Sequence, residues 1–111
     1  MFRIIKTNDI TLGHFGGCTP CLGVMTMTNL TVFSEDVLIS TEGDVFNPHP
    51  DTATCHPQGA VYTVMPLTCS PNVFANGKKV TVENSVLACG DLIGLNADNL
   101  IKTKVFVNSI F

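Results

Sequence analysis

The sequence predicts a small, mostly β domain of short hairpins and long loops, and three observations support this prediction. Asn76 and Gly77 lie between β-favouring residues, which is typical of a hairpin with a type I′ turn because both residues tolerate positive φ. No stretch has apolar residues at helical spacing, and Gly, Pro, Asn, Asp and Thr recur too often for long helices. A Val-Phe pair also recurs, beginning at Val32, Val73 and Val105. This recurrence predicts three similar units and a body with pseudo-threefold character.

The other predicted strands follow from the same chemistry. Residues 30–33 and 37–39 are predicted to form a second hairpin, with the polar residues 34–36 as its turn. Residues 60–65 and 104–107 are rich in β-branched and aromatic side chains, so each is predicted to be a short strand.

Length and charge limit the organisation and the partners of the chain. Its 111 residues predict one domain over residues 1–111. The net charge is −3, and Lys78 and Lys79 are the only clustered basic residues, so there is no surface suited to a phosphate backbone. We expect a protein that binds no nucleic acid and is monomeric on its own.

Apolar residues are abundant but never continuous. They make up 45% of the chain, with a mean hydropathy of +0.33, yet charged and turn residues interrupt every stretch well before the roughly 18 residues that a membrane span needs. Residues 1–10 carry Arg3, Lys6 and Asp9 and have no apolar segment followed by a cleavage site. We expect synthesis in the cytoplasm without a signal peptide, and an apolar surface of which part faces a partner.

A second repeated feature relates aspartates to histidines. Asp9 lies five residues before His14, and Asp44 lies five residues before His49. The pair Gly90-Asp91 precedes the last Val-Phe strand. Three degenerate units of aspartate, loop and Val-Phe strand therefore account for most of the chain.

All the histidines of the chain and one cysteine predict a zinc site. His14, His49 and His56 occur in Gly/Pro-rich loops, and Cys89 occurs in another loop. Zn²⁺ accepts imidazole nitrogen and thiolate sulfur in a tetrahedral shell, and iron is the less favoured alternative. Four protein ligands leave no open position, so the ion is expected to be structural. Since the histidines are committed to metal and no nucleophile is paired with a base, we expect no enzymatic activity.

The remaining thiols leave alternatives open. Cys18 and Cys21 form a Cys-x-x-Cys motif, which also occurs in zinc ribbons and in thiol redox sites. A ribbon needs a second close cysteine pair, and a redox site is typical beside a βαβ pattern; neither is found in this chain. Cys55 competes with His56 or Cys89 for a place in the shell. A small ribbon-like zinc-binding interaction module and a thiol redox protein are therefore the alternative functions.

The central unit resembles the repeat of the PAAR proteins. Residues 70–80 read Ser-Pro-Asn-Val-Phe-Ala-Asn-Gly-Lys-Lys-Val, and Cys-Gly-Asp follows at 89–91, whereas PAAR units read Gly-Ser-Pro-x-Val-Phe-Val-Asn-Gly-Lys and end in Gly-Asp. Weaker matches extend in order over nearly the whole chain. The Pro-Ala-Ala-Arg motif itself is replaced by Lys-Val-Thr-Val at residues 79–82, so the chain is similar to a divergent member.

The resemblance implies a fold, a metal and a function. PAAR proteins are small cones of β-hairpins and loops, with a zinc ion held near the apex by three histidines and one cysteine, which match His14, His49, His56 and Cys89. The wide face of the cone caps the trimeric β-helical central spike of phage tails and type VI secretion systems, with one tip per trimer. The Val-Phe units are candidates for strands near that face.

The resemblance also implies where such a protein acts. It would be assembled into the tail of a virion or secreted by a contractile apparatus, and it would contact the target-cell outer membrane transiently while helping to pierce the envelope. The residues are compatible with a phage tail and with a type VI secretion system alike.

Overall fold

The computed structural model describes residues 2–12, 23–48 and 61–107. Short antiparallel strand pairs dominate, which confirms the prediction of a mostly β domain built from hairpins. The elements are β1 (Phe2–Arg3), β2 (Ile10–Thr11), β3 (Val24–Thr26), β4 (Phe33–Ser34), β5 (Val37–Leu38), β6 (Val45–Phe46), a 3₁₀ turn (Pro66–Thr68), β7 (Phe74–Ala75), β8 (Lys78–Lys79), β9 (Ile93–Gly94), α1 (Ala97–Lys102) and β10 (Phe106–Val107). The body measures 35 × 26 × 26 Å, with one long axis.

A closed ring of backbone hydrogen bonds lies at the centre and joins three segments of the chain. Each segment forms one structural unit together with the strand pair before it and the turn after it. The segments are residues 4–6, 39–41 and 80–82. The N–H of Ile5 donates to the carbonyl of Thr81 (2.9 Å), that of Thr81 to Ser40 (3.0 Å), and that of Ser40 to Ile5 (2.9 Å). Each segment gives one bond and receives one, so this central ring relates the three units by a pseudo-threefold axis.

Three equivalent strand pairs adjoin the central ring. The pairs β4–β5 and β7–β8 are hairpins, and the third pair is formed by β10 with β1, from near the two ends of the chain. Their registers agree, because Phe33 faces Leu38, Phe74 faces Lys79 and Phe106 faces Arg3. The phenylalanine of each Val-Phe pair thus begins the equivalent strand of its own unit.

The two continuous hairpins have two-residue turns with positive φ. Asn76 and Gly77 have φ of 54° and 77°, as expected for the predicted type I′ turn. In the other hairpin Glu35 and Asp36 have φ of 53° and 68°. Ser34 was expected in this turn but belongs to β4, since a two-residue turn suits the twist of the paired strands better than a three-residue one.

A four-residue turn begins at the last residue of each central segment. Its last residue is Asp9, Asp44 or Ser85, and the side-chain oxygen of that residue accepts the N–H of the first residue of the turn at 2.8, 3.0 and 3.1 Å, respectively. The third unit therefore has Ser85 where the repeat led us to expect an aspartate. The expectation for Asp91 is wrong because Asp91 lies six residues further on, just before β9, where its carbonyl accepts the N–H of Leu87 (2.9 Å).

Beyond these turns the chain forms a second ring, which we call the upper ring. The N–H of Leu12 donates to Leu92 (2.8 Å), that of Asn47 to Gly23 (3.0 Å), and that of Ala88 to Thr63 (2.9 Å). The paired strands β2–β9 and β3–β6 belong to this layer. Of the predicted strand at 60–65, the described part contributes single bridges, at Thr63 and Val64.

Two separate apolar cores define two ends of the body. The hairpin core lies under the three hairpins, and the loop core lies within the upper ring. The hairpin core comprises Ile4, Ile39, Ala75 and Val80, with Val32, Val73 and Val107 packed against it. The loop core comprises Ile5, Val24, Phe46, Val64, Cys69, Leu87, Ile93 and Leu95, with Tyr62 and Cys89 packed against it. We call the corresponding sides of the protein the hairpin end and the loop end.

The helix α1 is an element that the sequence did not lead us to expect. It begins after Asn96, whose side chain accepts the N–H of Asn99 (2.7 Å), and it lasts six residues, too few to show a helical period. Both asparagines also bind a carboxylate oxygen of Asp9, through the N–H of Asn96 (2.9 Å) and the amide of Asn99 (2.8 Å). None of the described helices is long and apolar enough to cross a membrane.

Candidate functional site

Cys89 lies at the loop end, in a tight reversal of the chain between Leu87 and Asp91. The N–H of Gly90 donates to the carbonyl of Leu87 (2.8 Å), and Gly90 has φ of +99°, a conformation that favours glycine. The chain therefore reverses within residues 87–91. The Cys89 side chain is half-buried and packs against the loop core.

Burial controls the chemistry of this thiol. Desolvation raises the pKa of Cys89 above its ordinary value, and a backbone hydrogen bond offsets part of that effect. The protonated thiol is therefore the favoured form at neutral pH. A metal ion bound at Cys89 would have to displace this proton, because the thiolate is the form that ligates metals.

The other predicted ligands lie outside the described residues. They are His14, His49 and His56, together with the competing cysteines Cys18, Cys21 and Cys55. Within residues 2–12, 23–48 and 61–107, no group of three or more His, Cys, Asp or Glu side chains could hold a metal ion. The part of the predicted zinc site that the structure describes is thus Cys89.

The upper ring fixes the places from which the loop-end connections start. Leu12, Asn47 and Ala88 hold equivalent positions in it. In the sequence, His14 and His49 each come two residues after their ring residue, whereas Cys89 comes one residue after Ala88. The connections that follow are 13–22, 48–62 and 89–91. The units are therefore alike up to the ring and differ in length beyond it.

Cys69 is the other described thiol, and its surroundings suit a structural role. It is buried in the loop core, with its Sγ 3.6 Å from the carbonyl oxygen of Met65. Desolvation raises the pKa of Cys69 to about 11, so the thiolate form that reacts and binds metals is strongly disfavoured.

The hairpin end presents the same side chain three times. Phe33, Phe74 and Phe106 hold equivalent positions and are 57%, 55% and 46% exposed. Large apolar side chains at three related positions of one surface are a feature of interaction sites. The sequence contained a signal for this surface in the recurring Val-Phe pair. Val32 and Val73 pack against the hairpin core, whereas Val105 is 41% exposed and Val107 packs there instead.

Charges around these phenylalanines differ from hairpin to hairpin. Glu35 and Asp36 form the turn of one hairpin, and Lys78 and Lys79 follow the turn of the next. In the third pair the guanidinium carbon of Arg3 lies 5.7 Å from the ring centroid of Phe106. The apolar positions therefore follow the pseudo-threefold axis, but the charges do not.

Side chains from neighbouring units lock the hairpins in place. Lys6 is almost fully buried, and its Nζ lies 2.8 Å from Oε1 of Glu35 in the next unit. Glu42 accepts the N–H of Lys79 (2.6 Å), and Glu83 accepts that of Arg3 (2.8 Å). The hairpin end is thus a preorganised surface rather than three independent loops.

No family model matches the chain, and no curated protein matches it.

Proposed function

We propose that the protein is a PAAR-like, non-enzymatic tip that caps the trimeric β-helical central spike of a contractile tail or a type VI secretion system. The central ring carries this proposal. It relates three strand pairs of equal register by one axis, and each pair has an exposed phenylalanine. A partner with threefold symmetry is the kind of partner whose three chains could each meet an equivalent surface on a single small protein.

The same arrangement explains how one copy of the protein could bind all three chains of a trimeric spike. The three contacts on the tip come from one chain, so one copy occupies all three contact places on the partner. The open strands at the end of a β-helix also have unpaired backbone groups, which short hairpins at a blunt end can cover.

The loop end supports the second part of the proposal, a structural zinc ion held by His14, His49, His56 and Cys89. Cys89 lies at the loop end, and the upper ring holds Leu12 and Asn47, which precede two of these histidines in the sequence. When bound, zinc would join distant parts of the chain and stabilise the folded state. Its shell would be closed, so a stabilised tip is proposed rather than a catalyst.

A tip driven through an envelope needs resistance to force rather than turnover. Forced unfolding is governed by the unfolding rate, which falls when contacts that form late in folding are stabilised. A metal cross-link between connections far apart in the sequence is a contact of that kind. Piercing of the target-cell outer membrane is the proposed outcome.

The experiment that tests this proposal measures binding and stoichiometry together. The purified protein is mixed with soluble trimeric β-helical spike fragments, one from a phage tail and one from a type VI system, each ending on its last complete β-helical turn. Sedimentation equilibrium should give one tip per trimer with at least one of them. Failure to bind either fragment contradicts the proposal.

A further inference from the structure

We infer that the proposed partner has three equivalent uncharged, apolar contact places, each taking one of Phe33, Phe74 and Phe106, and that ionic contacts contribute little to the complex. This inference rests on the proposed function and specifies the chemistry of the partner surface. It starts from what is repeated at the hairpin end and what is not.

The repeated feature is the phenylalanine and its support. Each of the three begins the equivalent strand of its pair, β4, β7 or β10, and the facing residue is Leu38, Lys79 or Arg3. Half-exposed phenyl rings of this size offer roughly 100 Å² each, or roughly 300 Å² together. That area is enough for the centre of an interface of standard size, and the hairpin backbones around it can supply the rim.

The unrepeated feature is charge. A trimer with threefold symmetry presents the same charge to all three hairpins. Glu35 is already paired with Lys6, so Asp36 is the charge that the first turn offers to a partner. A positive partner surface would attract Asp36 but repel Lys78, and a negative one would do the reverse. Only an uncharged surface avoids repulsion at every hairpin, so charge complementarity selects a neutral, apolar partner.

The third contact place differs slightly from the others. Arg3 covers one side of the Phe106 ring, and Phe106 is less exposed than Phe33 or Phe74. We therefore expect Phe106 to contribute least of the three. A second copy of this chain is the competing occupant, because Asp36 of one copy could then face Lys78 of the other.

The experiment compares single variants for binding to the immobilised spike fragment that binds the unmodified protein. Phe33→Ser and Phe74→Ser should each weaken binding by about 10-fold to 100-fold, and Phe106→Ser by about 10-fold or less. The conservative variant Phe33→Leu should keep most of the affinity of the unmodified protein. Leu67→Ser and Ile101→Ser are matched controls, since these apolar side chains are 73% and 74% exposed outside the hairpins, and they should change binding less than about threefold.

Charge is tested separately. Between about 50 mM and about 1 M sodium chloride, and in Lys78→Glu, the dissociation constant should change by less than about threefold. The inference is overturned if the serine variants bind the fragment almost normally, or if salt or Lys78→Glu changes the dissociation constant tenfold. Either result leaves the spike-tip function in place. Absence of binding by the unmodified protein contradicts both this inference and the proposed spike-tip function. A dimer of the protein alone that Phe74→Ser dissociates also overturns the inference, in favour of a second copy as occupant.

Discussion

The hairpin end and the loop end use the same pseudo-threefold frame in opposite ways. At the hairpin end the three strand pairs have equal registers and the same exposed side chain, and the two continuous hairpins have equal two-residue turns. Beyond the upper ring, at the loop end, the sequence that follows Leu12, Asn47 and Ala88 differs between the units in length and in residue type. Repetition suits a surface that meets a symmetric partner, whereas divergence suits a site where unlike side chains must meet one ion.

The largest expected effect tests the loop end alone. Removing the metal with a chelator, or replacing the ligand in Cys89→Ser, should lower the free energy of unfolding by roughly 4–5 kcal/mol, by analogy with a cross-link that closes a long loop. Elemental analysis should first find about one zinc per chain in protein purified without added metal. Urea denaturation with and without chelator measures the loss.

Two comparisons control this experiment. The chelator should have no further effect on Cys89→Ser, and Phe33→Ser at the hairpin end should keep its zinc. Equal stability of Cys89→Ser and the unmodified protein would contradict the assignment of Cys89. Zinc loss in a Cys18→Ser, Cys21→Ser double variant, with zinc retained in a His49→Ala, His56→Ala one, would favour the ribbon-like module.

The next largest effect on stability concerns the hairpin end, where the Lys6–Glu35 ion pair joins two neighbouring units. Glu35→Gln leaves the buried ammonium of Lys6 without its ion-pair partner and should cost roughly 1–3 kcal/mol, less than a fully buried pair because Glu35 is 32% exposed. Adding Lys6→Met should recover most of that loss. Thermal denaturation of the single and double variants measures the coupling.

The control for this prediction is an exposed ion pair elsewhere. Lys102 and Asp98 lie 3.0 Å apart on α1, with their side chains 63% and 64% exposed. Asp98→Asn should change stability by less than about 0.5 kcal/mol. Equal effects of Glu35→Gln and Asp98→Asn would show that the link between hairpin units is no stronger than a surface pair.

A smaller effect comes from the pH dependence of the loop core. The pKa of Cys69 is raised to about 11 in the folded protein, while the unfolded thiol has its ordinary value near 9. Between these values the folded state keeps a proton that the unfolded state has lost, so stability is complete below about pH 9 and falls as pH rises. At pH 10.5 the metal-free protein should lose on the order of 1–2 kcal/mol relative to pH 8.

The Cys69→Ala variant provides the comparison for that measurement. It removes the titrating thiol, so the difference in unfolding free energy between pH 8 and pH 10.5 should shrink, whatever the cost of the substitution at pH 8. An unchanged difference would mean that other groups cause the alkaline loss. Measurements with chelator present keep the zinc site from contributing.

The contrast between the two ends also explains what the sequence could predict. Features carried by neighbouring residues were predictable: the Asn76-Gly77 turn has the φ values of its type, and the Val-Phe pairs begin equivalent strands. The central ring was not, because it consists of single bonds between Ile5, Ser40 and Thr81, which are far apart in the chain and leave no local period. Its threefold relation could be expected only from the repeat.

The candidate site follows the same division. Cys89 was preferred among five cysteines because it precedes Gly90-Asp91 and matches the cysteine of the PAAR repeat. The structure places Cys89 at the loop end beside the upper ring, and its role as a ligand and the histidines proposed to join it stay a prediction. Ser85 escaped notice since a hydroxyl accepts the turn N–H as an aspartate does, and a repeat based on aspartates cannot reveal it. The pairing of β1 with β10 could not be predicted either, since it joins the two ends of the chain.

The smallest effect compares the two continuous hairpins with each other. Gly77 has φ of +77° at no steric cost, whereas Asp36 holds φ of +68° with a side chain. Asp36→Gly should therefore stabilise the protein by up to about 0.5–1 kcal/mol, and the reciprocal Gly77→Asp should destabilise it by a similar amount. Chemical denaturation of both variants measures this difference. Changes in unfolding free energy of opposite sign and similar size in the two variants would show that the hairpins have equivalent backbones and differ only in their side chains. A loss of stability in Asp36→Gly would instead mean that the Asp36 side chain makes stabilising contacts of its own, beyond those of Glu35.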